Sequence, residues 1–280
     1  MSERERKASK KVLSIAVTLP LLATLIPGVA IAEPSSLKDG ERPLSESEIL
    51  EILDIDVDRV TGEYTFDESA VKIEIVSDYG EEITMLSSES VEAIVDETVP
   101  TYEIVDSSIA IEGNMVTQTC TVEMDLMPLA TRENLHEFHS RSDGKVTGNI
   151  RLDYALLQGD PWNVTGYGIQ IWRAGNAIIA NDASVKIGQP SGTVVQCYMV
   201  PTGEAQKSEY TGSFFNYIPL QGYDQWHGEK YLSFFVTNFY PNAGPFGSNG
   251  GSFTAPISAP ELGIADYEIT FHLEIPLPWS

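Results

Sequence analysis

The chain has 280 residues, 42% of them hydrophobic, and 17 Lys and Arg stand against 41 Asp and Glu for a formal charge of −24. A field that negative repels nucleic acid and anionic lipid, whose binding needs basic patches that the chain lacks beyond its first eleven residues. The length suits one large domain, or a domain with a small addition.

Residues 1–32 read as a signal peptide. Arg4, Arg6, Lys7, Lys10 and Lys11 precede an apolar run from Val12 to Ala32 that closes on Ala30-Ile31-Ala32. A basic start, an apolar middle and a small-x-small ending are what signal peptidase recognises. The run is long enough to span a bilayer, but Pro27-Gly28 interrupts it and favours cleavage over anchoring. No cysteine follows to carry a lipid and no second apolar span appears, so a secreted chain is expected, with no membrane attachment after cleavage. Cleavage would remove five basic and two acidic residues and leave a formal charge of −27.

Residues 33–100 are expected to form a small acidic α+β appendage, because 33–106 hold 22 acids and 4 bases whereas 107–280 hold 17 and 8. Ser45 and Glu48 have capping-box spacing before Ile49, Leu50, Ile52 and Leu53, which predicts a short helix over about 46–54. VKIEIVS and EEITMLS alternate around Asp78-Tyr79-Gly80 and predict a β-hairpin. Between helix and hairpin, Asp54, Asp56 and Asp58 imitate the start of a calcium loop. The EF-hand pattern then needs glycine at its sixth position and a bidentate glutamate at its twelfth; here those are Arg59 and Thr65. A solvated bend explains the aspartates better, with calcium held only at millimolar levels if at all, and no other cofactor is implied.

From residue 101 to 280 the pattern is that of an all-β domain. MVTQTCTVEMDL puts Val116, Cys120, Val122, Met124 and Leu126 on one face, broken only by Gln118. Strands also read at 146–157, 163–173, 184–188, 193–200, 209–218 and 231–240. The last, DYEITFHLEI, alternates Tyr267, Ile269, Phe271, Leu273 and Ile275 with polar residues. Eight or more short strands without long helices predict an antiparallel β-sandwich, with a closed barrel as the alternative. Cys120 and Cys197 are the two cysteines, and in an exported protein they are expected to pair. Both are placed on inward faces, Cys197 beside Val195 and Met199, and a bridge across 77 positions would constrain the unfolded chain by about 4 kcal/mol. Pro241–Gly263, rich in Gly, Pro and Ser, reads as a long loop.

Few residues suggest chemistry. His136 and His139 are one position too close for the His-Glu-x-x-His zinc motif. Ser248 has Phe246 where a nucleophile elbow needs glycine. Carboxylates share solvent faces at Glu123/Asp125 and Glu268/Glu274, as glycoside hydrolysis would use, but so acidic a chain produces such pairs without function. Asn163-Val164-Thr165 is a glycosylation sequon. Tyr223, Asp224, Gln225 and Trp226 carry the strongest slant. They lie between strands beside Gly222 and suit a platform for a sugar ring or a peptide, although a tryptophan folded over the core would give the same pattern. The expectation is therefore a secreted, non-catalytic protein binding a glycan or another cell-surface partner. The alternatives are an extracellular carboxylate-dependent hydrolase and a self-associating surface protein.

Overall fold

The computed structural model describes residues 42–53, 71–77, 82–84, 86–87, 101–126, 144–158, 167–181, 183–218, 223–238 and 249–275. The chain begins β1 (Arg42–Pro43), α1 (Glu46–Ile52), β2 (Val71–Ser77), β3 (Glu82–Thr84) and β4 (Leu86–Ser87). Long strands follow: β5 (Thr101–Glu112), β6 (Met115–Asp125), β7 (Lys145–Gln158) and β8 (Tyr167–Ala180). Next come β9 (Lys186–Ile187), β10 (Ser191–Met199), β11 (Ala205–Gly212), β12 (Asn216–Tyr217) and β13 (Gln225–Tyr231). The described chain closes with β14 (Thr237–Asn238), β15 (Gly250–Ala259) and β16 (Ile264–Glu274).

These strands make two packed sheets, not a closed barrel. The larger has nine strands in the order β12-β13-β8-β7-β6-β5-β4, with β1 also on β7 and β14 also on β8. The smaller has seven, ordered β11-β10-β15-β16-β2-β3, with β9 beside β15. Among the described residues every pairing is antiparallel except β4 with β5. The sandwich expected from the alternation is present.

The core lies between the two inner faces. On β6, Val116, Cys120, Val122 and Met124 are buried, and β16 contributes Ile269, Phe271 and Leu273. Phe253 and Phe271 stack at 4.3 Å between ring centres. Gly148 makes this stack fit: a Cβ there would occupy the edge of the Phe271 ring.

Two glutamines staple the layers together. Gln118, the residue that broke the apolar face of β6, donates from Nε2 to the Glu274 carbonyl in the opposite sheet at 3.1 Å. Gln196 crosses the other way. On β8, Trp172 is an extra residue, since Arg173 pairs with Asp153 and Ile171 with Tyr154. Gln196 Oε1 accepts the Ile171 amide beside that bulge at 2.7 Å. A buried amide needs such a partner wherever a ladder is interrupted.

The helix and hairpin expected in the acidic segment exist, and both are woven into the sandwich. β2 pairs with β16 from Val71 opposite Leu273 to Ser77 opposite Tyr267. Ile49 and Ile52 of α1 belong to the same apolar core. At its N-terminus, the Glu48 carboxylate accepts from the Ser45 amide at 2.9 Å and is held by Arg42. Arg42 first, and then Ser45, hold that carboxyl well below the usual range.

Three expectations are corrected. The expected disulfide is not formed: Cys120 and Cys197 are both thiols, and both are buried. On β10 the side chain that reaches the other sheet is Gln196, so Cys197, one position on in an unshifted ladder, faces away from it. Cys120 faces inward; the two sulfurs lie on opposite sides of a sheet. The loop read at 241–263 contains a long strand, β15, from Gly250 onward. And 231–240 is no continuous strand, since within its described part pairing resumes only at Thr237–Asn238.

Candidate functional site

The four residues singled out at 223–226 stand at one end of the larger sheet, where β12 and β13 form a short hairpin. Asn216 pairs with His227, Tyr217 with Trp226, and the Ile218 amide donates to the Gln225 carbonyl at 2.9 Å. Trp226 is not a loose ring. Its indole N–H donates to the Ile187 carbonyl at 2.9 Å, and its ring centre lies 5.2 Å from that of Tyr217. Asp224 is used on both oxygens: Oδ2 accepts the Ile187 amide at 3.0 Å and Oδ1 accepts the Tyr217 hydroxyl at 3.0 Å. Ile187 belongs to β9 in the smaller sheet. The hairpin of one sheet is thus latched through Asp224 and Trp226 to a strand of the other.

Gln225 is buried, Trp226 half-buried and Tyr223 exposed. The latch turns Tyr217, Ile218 and Tyr223 outward, at 48%, 37% and 37% exposure. Hydrogen bonding to Asp224 raises the Tyr217 hydroxyl above the usual phenol range, so it stays protonated as a donor at neutral pH. What this arrangement offers is three exposed apolar side chains, two of them tyrosines, on a hairpin whose one nearby carboxylate, Asp224, is already engaged on both oxygens. Tyr217 and Ile218 escaped the sequence reading because NYI continues the alternation of the residues before it and reads as core.

The remaining expected sites divide plainly. Asp54, Asp56 and Asp58, His136 and His139, and Asn163 lie outside the described residues. Among the described residues no group of three or more His, Cys, Asp and Glu is placed to hold a metal ion. Glu123, of the first carboxylate pair, is bound by Lys145 across the strands.

A second cluster was not anticipated. On the outer face of the larger sheet, Asp153 is 1% exposed. It accepts from Thr117 at 2.7 Å and from Arg151 at 2.9 Å, and Arg173 approaches it to 3.4 Å. Arg173 also donates to Glu229 at 2.7 Å and lies over the Tyr231 ring at 5.6 Å. Two cations and two carboxylates cancel, so the cluster clasps β6, β7, β8 and β13 together. The signal for it was Arg151-x-Asp153 within one strand of a chain poor in basic residues.

No helix among the described residues is long and apolar enough to cross a membrane. No protein family, curated protein or solved structure matches this chain.

Proposed function

We propose that this chain is a secreted β-sandwich protein that binds a neutral glycan on its latched edge hairpin. The supporting observation is the exposure of Tyr217, Ile218 and Tyr223 together on one short hairpin. Neighbouring exposed apolar side chains mark interaction surfaces where scattered single ones do not. The latch fixes the Tyr217 ring before a ligand arrives, which lowers the entropy lost on binding. Aromatic faces suit the C–H faces of a pyranose ring, and tyrosine hydroxyls suit its rim. The ligand is neutral because a chain of formal charge −24 repels sulfated or uronic sugars. Export follows from the basic, apolar and small-x-small order of residues 1–32.

A glycan array probed with the secreted chain tests the proposal. Tyr217→Ala and Tyr223→Ala should each weaken binding by about tenfold, as loss of a buried interface aromatic ordinarily does. Tyr217→Phe keeps the ring and should retain most of the affinity. An array with no retained glycan, or undiminished binding by the double alanine variant, overturns it.

A further inference from the structure

The two sheets have four ends, and at three of them the last described strand is very short: β12 and β4 show two residues each and β3 three. β4 covers β5 only at Thr101 and Tyr102, and the rest of that edge carries Glu103, Asp106 and Glu112 and no base. The fourth end is β11, eight residues long, and among the described residues no strand pairs with its outer side. A long edge leaves a row of amides and carbonyls ready to template another strand, and proteins usually shorten, charge or cover it. β11 is charged, but its two charges are opposite. Lys207 and Glu209 stand on the outward face, opposite Cys197 and Val195 of β10. They already form an ion pair within the strand, with about a third of each side chain exposed, at 36% and 35%.

We propose that β11 is a homodimerisation edge, in which two copies pair their β11 strands antiparallel about a two-fold axis at Ser208. Residues directly opposite each other in an antiparallel pair share a face of the sheet. If both sandwiches are to lie on the same side of the joined sheet, odd residues must therefore meet odd residues. An axis at Lys207 sets lysine against lysine, and an axis at Glu209 sets glutamate against glutamate. The axis at Ser208, between them, sets each Lys207 against the partner copy's glutamate at the same position as Glu209, twice by symmetry. It also matches Gln206 with Tyr210 and Ala205 with Thr211, so that seven of the eight residues find a partner. A lone lysine would only block this edge. Followed two positions later by glutamate, it selects one register and one partner, a second copy of the chain.

The other long stretch of edge, on β5, supports the same assignment. It carries only acids and would repel a second copy, whereas β11 carries a self-complementary charge pattern. Nothing in this depends on what the hairpin at β12 and β13 binds.

Sedimentation velocity over a dilution series of the full secreted chain tests the proposal, with hydrogen exchange of the β11 amides as a second readout. The wild type should dimerise, with β11 amides protected in the dimer. Lys207→Glu and Glu209→Lys should each weaken dimerisation at least about tenfold, because each turns two favourable cross-strand pairs into two repulsive ones. The double swap K207E/E209K restores opposite charges in the same register and should restore the dimer. Both positions are exposed, and unchanged thermal melts separate loss of pairing from loss of fold. A monomer at every concentration overturns the proposal. So does a dimer indifferent to the single reversals, or a double swap that fails to recover.

Discussion

Cys197 shows how much hangs on one residue's phase along a strand. Val195, Cys197 and Met199 alternate as a core face would, but the face turned to the opposite sheet is the other one, with Val194 in the core and the polar Gln196 reaching across. A shift of one position exchanges the two faces of a strand, so reading the apolar residues as the inward set put Cys197 on the wrong side. Burial pushes its thiol up to about 11, with Lys207 pulling the other way. Neither cysteine should therefore react with a thiol reagent in the native protein at neutral pH, and two equivalents should react once it is unfolded. A single disulfide on a non-reducing gel, or native labelling at the unfolded rate, would refute this. The same shift fixes a pH dependence. Between the ordinary thiol range and about pH 11, the unfolded chain loses a proton that folded Cys197 keeps, so this residue's contribution to stability falls as pH rises through that window. Tyr154, fully buried, is shifted upward by burial and acts in the same direction at still higher pH.

At the scale of elements, the strands with the clearest alternation were legible: β2, β6, β7 and β16 run where the sequence placed them. β15 was not legible, although Phe253, Ala255, Ile257 and Ala259 alternate inward along it. Its glycines and proline disguised it, and each has a packing reason. Gly251 leaves room for Leu152, whose Cδ2 would lie 2.9 Å from an added Cβ. Pro256 sits in a gap on one side, since β10 ends opposite Thr254 and β9 begins opposite Ile257. The run 231–240 failed for the opposite reason. Gln170 and Gln196 take the carbonyls of Phe234 and Phe235 at 2.6 and 2.8 Å, which draws the chain out of the ladder and leaves Phe235 75% exposed. Likewise 209–218 is not one strand, because Ser213–Phe215 carries the chain from the end of β11 to β12 in the other sheet. There Phe214 stacks on Phe215 at 4.8 Å and passes over Gly228. A Cβ on Gly228 would land on the Phe214 carbonyl, a backbone atom that cannot rotate away. Gly228→Ala should destabilise by about 3 kcal/mol, at the upper end of overpacking costs. Gly175→Ala, whose Cβ would meet nothing nearer than 3.7 Å, should be nearly silent. Denaturant midpoints compare the two, and equal losses would mean that the crossing at Phe214 is misplaced.

Over the whole molecule, 41 acids and 17 bases leave many carboxylates without any cation to meet. Most described bases have local partners already: Arg42 holds Glu48, Lys145 holds Glu123, Lys207 holds Glu209, and Arg151 and Arg173 flank Asp153. Lys230 lies over the Tyr210 ring at 4.7 Å, where it closes the side of the sandwich. The excess negative charge therefore acts as a diffuse repulsion on the folded state, and dissolved ions screen it. Melting temperature should rise as sodium chloride is increased towards about 1 M, where the screening length falls to roughly 3 Å. A specific calcium site at Asp54, Asp56 and Asp58 would behave differently: a few millimolar calcium would raise the melting temperature far more than sodium chloride of equal ionic strength. Matched titrations with the two salts separate these effects. Equal rises at equal ionic strength assign the stabilisation to screening and remove the calcium loop. A melting temperature flat in both salts would mean that the charge is spread too thinly over the surface to oppose folding, and the acidity would then need another explanation.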